Sequence, residues 1–329
     1  MAFLEPEEKS EKNAAAVHWH NERKAKILKT HPEVKALFGH EEKTKFIGVV
    51  LWTSQVTSCL YSSYVLSGWS YFLSAYLVGA TLFQASFLLC HELTHNLGFK
   101  STLANRSYAW FITTPGIVAY AEPFRFYHIA HHVHTTQEDE DTDIPSRFEG
   151  RMTSSGGRMR RIPTKLLWLS VNLLAYVLRP LSLKRMPYNK YLFANQVVQL
   201  CFNILLYAIF GWEPFRYFLL AALLAGGLHP TAAHFLAEHY AFPWIPKGQE
   251  TASYYGPLNL LTWNAGMHVE HHDFMSIPWS RLAELRDIAP EFYEPLGKHT
   301  SYLKVLYTFV VDNRMSCFSR IKRRSKSVD

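Results

Sequence analysis

Two pairs of long apolar runs limit this chain more than any other feature. Phe46–Leu66 and Ser70–Cys90 are each 21 residues long without a charged side chain, separated only by Ser67-Gly-Trp69. Runs of that length match a hydrocarbon layer about 30 Å thick. Backbone inside hydrocarbon finds no water, so it must close its own hydrogen bonds, as a helix does. Asn195–Gly211 and Phe215–Leu236 form a second pair around Trp212-Glu-Pro214. The expectation is an all-α integral membrane protein with four transmembrane helices in two hairpins, over about 46–66, 70–90, 195–211 and 215–236.

The remainder reads as a polar N-terminal segment, 1–45, and one membrane domain, 46–329, whose cap comprises 91–191 and 237–329. Tyr108–Ala121 and Lys165–Leu178 are apolar but shorter or interrupted, and predict interfacial or partly immersed helices, with an extra hairpin left open. The first 45 residues are charged and polar and lack the apolar core of a signal peptide. Of the 34 Lys and Arg residues, all but Arg216 lie before residue 46, between 91 and 191, or after 236. Basic residues collect on the cytoplasmic side of a membrane, so both termini and the cap are expected there. A net charge of +7 also admits nucleic-acid binding. These charges follow the membrane pattern instead, and Arg320-Ile-Lys-Arg-Arg324 reads as a lipid-headgroup contact. Four scattered cysteines without a CxxC pair read as small buried hydrophobes, not a disulfide framework.

Eight histidines fall in three tight groups, all on the predicted cytoplasmic face: His91-Glu-Leu-Thr-His95, His128-Ile-Ala-His131-His132 and His268-Val-Glu-His271-His272. Residues three and four apart share one face of a helix, so each group aims its rings at one point. Neutral imidazole binds iron, zinc, copper and nickel. Eight such ligands exceed what one tetrahedral zinc needs and suit two metals with open positions. A ninth candidate comes from His229, His234 or His239; His234 and His239 lie about 140° apart on an ideal helix. His91-Glu-Leu-Thr-His95 also fits the zinc-protease pattern with Glu92 as base, which makes an intramembrane protease the rival reading. That reading leaves the other two groups unused.

The boxes and their surroundings resemble the sphingolipid Δ4-desaturases, within the membrane fatty-acid desaturase/hydroxylase superfamily. The likeness rests on Glu238-His-Tyr-Ala-Phe242, on Glu250 through Thr262, on Met267-His-Val-Glu-His-His-Asp-Phe274 and on Lys304 through Val311. Upstream it rests on His91 through Leu97, on Phe126-Tyr-His128, on Asp141-Thr-Asp-Ile-Pro145, on Arg23 through Leu28 and on His31-Pro32. Met267, Val269 and Met275 depart from the family's usual third box, and no ligand position is lost.

The resemblance implies a two-iron centre held by His91, His95, His128, His131, His132, His239, His268, His271 and His272. His239 is preferred because the superfamily places an extra histidine about 29 residues before the third box. His234, Glu92, Glu270 and Asp273 become further metal or ring-orienting candidates, and Asp143, Asn264 and Tyr255 substrate-proximal ones. The acidic run Glu138 through Asp143 reads otherwise as a solvated loop. An alkyl C–H bond offers a side-chain base no acidity, so the reaction requires a metal, O2 and two electrons. No glycine-rich dinucleotide motif and no fused haem motif is present. The resemblance then implies electrons from NAD(P)H through cytochrome b5 reductase and a separate cytochrome b5, with Arg158-Met-Arg-Arg161 a candidate docking patch. The implied activity is a trans C4–C5 double bond in the long-chain base of dihydroceramide, in the endoplasmic reticulum membrane. C4-hydroxylation of the same base, or a bifunctional enzyme that does both, is the alternative.

Overall fold

The computed structural model describes residues 19–138, 140–179 and 186–322. It is mostly helical, with one two-residue parallel strand pair. In chain order, α1 is Trp19–Thr30, α2 Lys43–Val65, and α3 Gly68–Thr94, which passes through a π-turn at Ala75–Gly79. The cap begins with α4, Thr102–Ile112, α5, Ala121–His134, α6, Arg147–Ser154, and α7, Arg158–Leu178. The second apolar pair gives α8, Lys190–Phe210, and α9, Glu213–Leu224. The short α10 (His234–Ala237), β1 (Ser253–Tyr254), α11 (His268–Asp273), α12 (Leu282–Ile288), α13 (Pro290–Tyr293), β2 (Lys298–His299) and α14 (Tyr302–Val311) complete it.

Helix starts follow local chemistry. Asn189 accepts hydrogen bonds from the backbone N–H groups of Tyr191 and Leu192, and Ser146 and Glu149 close a reciprocal capping box on α6. Among the described residues two helices, α3 and α8, are long and apolar enough to cross a membrane. Much of α8 faces outward, with Leu200, Ile204, Leu205, Tyr207 and Ile209 all exposed. Buried polar side chains tie the apolar helices together: Gln55 donates to Ser86 Oγ at 2.6 Å, and Ser62 and Ser74 share a 2.7 Å hydrogen bond. Gln199 donates to the carbonyl of Thr114. Between apolar helices such bonds and close packing replace the hydrophobic drive. Gly79, in the π-turn, packs so closely on α9 that a Cβ there would lie 2.8 Å from the Cβ of Ala221.

The fourth predicted span differs from expectation. Helix α9 stops at Leu224, 12 residues long, and the chain turns through Gly226-Gly227 into a 3-10 turn at Pro230–Ala233 and then α10. Twelve residues rise only about 18 Å, short of a full crossing. The break has two causes. Pro230 has no N–H to continue the helix. Gly227 also touches α7, where a Cβ would sit 2.8 Å from the carbonyl oxygen of Leu169. Gln84 of α3 satisfies the carbonyl of Ala225 exposed by the break, at 2.6 Å. The run therefore bends inward and delivers His234 and His239 to the interior.

Two other expectations change. Arg320 is not a surface lipid contact: it is 3 % exposed, with Nη2 3.5 Å from Asp141 Oδ2, while Arg323 and Arg324 lie outside the described residues. The acidic run is not simply a solvated loop, because Asp141 is fully buried. Cys59, Cys90 and Cys317 are buried thiols, and Cys201 faces outward from α8.

Candidate metal centre

Four elements converge beneath the bundle. The C-terminal turn of α3 carries His91, with His95 just beyond it, α5 carries His128, His131 and His132, α11 carries the third box, and His239 follows α10. The nine histidines separate into two groups. His91, His95, His128, His132 and His271 form one; His131, His239, His268 and His272 form the other. Within each group the candidate ligand atoms all lie within 4.8 Å of one another. The second and third boxes are each split between the groups, because on α5 and α11 adjacent residues point about 100° apart.

The ring nitrogens face each other rather than acceptors. His128 Nε2 lies 2.9 Å from both His95 Nε2 and His132 Nε2, His271 Nε2 is 3.3 Å from His132 Nε2, and His239 Nε2 is 3.1 Å from His268 Nε2. A neutral imidazole has one proton to donate, so His128 Nε2 cannot hydrogen-bond to both neighbours. Lone pairs must converge there, and a cation between them is what such an arrangement accommodates. His91 Nδ1, His132 Nδ1, His271 Nδ1 and His272 Nε2 are buried without a hydrogen-bond partner among the described residues. The donor set is all imidazole and fits iron.

The electrostatics keep most of these rings ready to bind a metal. Burial, then repulsion from neighbouring imidazoles, holds His128, His132, His268 and His272 well below the ordinary histidine range and His271 at about 3. His239 is likewise lowered, by burial and by Arg320. His131 is the exception: burial works to lower its pKa, but Asp141 and Asp143 raise it overall. Its Nδ1–H donates to Asp141 Oδ1 at 2.8 Å. Burial opposes ionisation of Asp141, yet His131 and Arg320 hold its pKa at about 2. A carboxylate on the far nitrogen fixes the tautomer and aims the other nitrogen inward.

The remaining candidates take other positions. His234 is in neither group; its Nδ1 bonds Glu238 Oε1 at 2.9 Å. His229 caps the turn at Pro230 through Thr231. Glu92 and Glu270, expected beside ligand N–H groups, are engaged elsewhere. Glu92 accepts the backbone N–H of Trp279 at 3.0 Å and stands 3.9 Å from His91 Nδ1, too far for a hydrogen bond. Glu270 accepts the hydroxyls of Ser253 and Tyr255. Tyr255 thereby braces α11, and Asn264 donates to the carbonyl of Trp279. Asp273 binds His20 and Arg23 rather than a ligand ring. Asp143 does line the cavity beside His91, His128, His131 and His268.

Several contributors were not foreseen from sequence. Asp141 reaches His131 directly, and Glu238 Oε1 lies 3.6 Å from His268 Nδ1 as well as bonding His234. Arg320 closes the far side of Asp141. Asp141 and Glu238 stood in motifs of the family resemblance without an assigned role, and nothing in the sequence pointed Arg320 to this site. An apolar cleft of about 900 Å³ including its open mouth, walled by Phe83, Phe87, Tyr120, Phe124, Leu173 and Tyr176, runs beside the histidines. Phe87, Phe124 and Tyr176 also line the cavity at the rings, so the two spaces adjoin across these three side chains.

A family model described as fatty acid desaturase matches residues 67–304, which hold all nine histidines. The class is that of the fatty acid desaturases. A second model, described as sphingolipid Delta4-desaturase (DES), matches residues 18–43. A sphingolipid delta(4)-desaturase of Schizosaccharomyces pombe is 40% identical over 321 residues, covering 94% of this chain and 87% of its own. Sphingolipid delta(4)-desaturase DES1 of Drosophila melanogaster is 38% identical, covering 94% of each chain. The bovine protein named sphingolipid delta(4)-desaturase/C4-monooxygenase DES2 is 38% identical, covering 93% of each. The chain belongs to the sphingolipid Δ4-desaturase family.

Proposed function

We propose that this protein desaturates the long-chain base of dihydroceramide between C4 and C5, giving the trans double bond of ceramide. The observation that carries the reading is the pair of histidine groups beside an apolar cleft that shares three wall residues with their cavity, in a chain with this ancestry. The nine histidines would hold two irons, which when bound supply the activation of O2 that an unactivated C–H bond demands.

The protein's own residues do the rest. Phe83, Phe87, Phe124 and Leu173 take the hydrocarbon chain out of water and lay it along α3, whose last turn bears His91. Burial of each methylene contributes about 0.8 kcal/mol, so chain length as well as the polar end fixes which carbons face the histidines. Asp143 and Glu238, at the junction, are placed to accept hydrogen bonds from the substrate's hydroxyl and amide groups. Asp141 holds His131, and through it the four-histidine group, in one orientation.

C4-hydroxylation of the same base is the second reading, and the name of the bovine relative favours keeping it. Both reactions start with removal of one hydrogen and differ in whether a second hydrogen is lost or oxygen is added. Lipid mass spectrometry of cells without their own sphingolipid desaturase, with and without this chain, distinguishes the two. A Δ4 double bond supports the proposal, and unchanged dihydroceramide overturns it.

The outward apolar side chains of α2, α3 and α8 support a membrane setting, here the endoplasmic reticulum, with termini and metal centre cytosolic. A cysteine at Ser67, in the turn between α2 and α3, is then labelled only from the lumenal side. Electrons are proposed to come from NAD(P)H by way of cytochrome b5 reductase and cytochrome b5. Reconstitution with and without b5 tests that step, and equal turnover in both excludes it.

A further inference from the structure

Resting on the two-iron reading above, we propose that His20 is a positioning residue for the four-histidine group, and that the N-terminal helix is a strap closing the outer side of one metal position. His20 is 6 % exposed although it sits near the chain's start, and its two ring nitrogens join two distant segments. Nδ1 lies 2.7 Å from Asp273 Oδ1 and Nε2 lies 2.7 Å from Thr251 Oγ1. A carboxylate only accepts, so Nδ1–H donates to Asp273, and the Thr251 hydroxyl can donate to Nε2.

Each partner adjoins a histidine of the same group. Asp273 directly follows His272, and Thr251 directly follows Glu250, whose carbonyl faces His239 Nδ1 at 3.4 Å. The His20 ring also lies against that of His272, 4.9 Å between centroids and tilted 33°. Among the described residues, no hydrogen bond or ring contact of His20 reaches the five-histidine group. A single imidazole thus ties together the backbone beside two ligands of one metal position, and its direct contacts stop there.

Arg23, one turn further along α1, shares the load. Its Nε and Nη2 each lie 3.0 Å from Asp273 Oδ2, and Nη2 also donates to the carbonyl of Phe292 at 3.0 Å. Its guanidinium stacks between Trp19 and Tyr293, 4.7 and 5.1 Å from the ring centroids. Asp273 is therefore held from two points on α1. Only His20 carries the link onward to Thr251. The sphingolipid Delta4-desaturase match over residues 18–43 covers this helix, which gives that segment a physical task at the metal centre.

The test uses the full-length, iron-loaded protein and follows iron per chain and its release to a chelator. The metal-free protein's thermal midpoint is measured alongside. His20→Ala is expected to release one of two irons about 10–100-fold faster, the range typical when a group behind a metal ligand is removed. The other iron should leave at the wild-type rate. His20→Asn, which restores a donor near the Nδ1 position, should recover part of the loss. Thr251→Val, which removes only the hydroxyl, should show a smaller acceleration of the same iron. If His20→Ala does not accumulate as folded protein, these two variants carry the comparison. Unchanged release in the variants, or equal acceleration of both irons, overturns the proposal. A wild-type protein that holds fewer than two irons refutes the two-iron reading itself, and is distinguished by that measurement alone.

Discussion

Ala222 stands in the wall of the apolar cleft with Phe83 and Val118, and Phe83 precedes His91 by eight residues. Eight residues of helix rise about 12 Å, so this wall meets the hydrocarbon chain well beyond the reacting carbons. Ala222→Leu adds three carbons in that space. If they displace three methylenes of the substrate, the lost burial at about 0.8 kcal/mol each totals roughly 2.4 kcal/mol. That corresponds to a roughly 50-fold fall in kcat/KM for the full-length base. A base shortened by three or four carbons never reaches the new side chain and should keep its wild-type rate. The assay is turnover of a series of dihydroceramides of decreasing base length by membranes containing wild-type or variant protein. Equal loss on long and short bases, or no loss on either, would refute the placement of the chain in this cleft.

Three further outcomes follow from the packing and the histidine geometry. His239→Ala should lose iron from the four-histidine group, whereas His234→Ala, outside both groups, should retain two irons; metal analysis of the purified proteins decides between them. Gly227→Ala places a Cβ 2.8 Å from the Leu169 carbonyl oxygen and should cost about 1–3 kcal/mol, read as a lower thermal midpoint. Arg179→Met leaves the Glu149 carboxylate without its 2.8 Å partner and should cost about 3–5 kcal/mol. Burial opposes ionisation of Glu149, but Arg179 lowers its folded-state pKa overall. The pair's stabilisation is therefore fully present above the unfolded value near 4.5 and lost as pH falls through the folded one, so acid denaturation curves of wild type and variant should converge at low pH.

Much of this protein was legible in one dimension because the relevant signals are local. The uncharged runs of 46–66 and 70–90 required helices whatever they packed against, since backbone in an apolar setting must bond to itself. The i, i+3, i+4 spacing of His128, His131 and His132 placed three rings on one side of a helix by geometry alone. Tertiary packing decided what local spacing cannot carry. The run 215–236 breaks after Leu224 where, besides the local effect of Pro230, Gly227 meets Leu169 on a helix more than fifty residues away. Helix geometry turns His131 away from His132, but only the fold brings His239, His268 and His272 to meet it and Asp141 to bond its Nδ1. Asp141 rather than Asp143 became the buried partner because Arg320, far along the chain, closes over it. Hydrogen-bonding periodicity is a property of neighbours in sequence. Burial of a charge, the assignment of a ring to one metal group, and the bridge from His20 to Asp273 and Thr251 depend on which distant segments the fold brings within 3 Å.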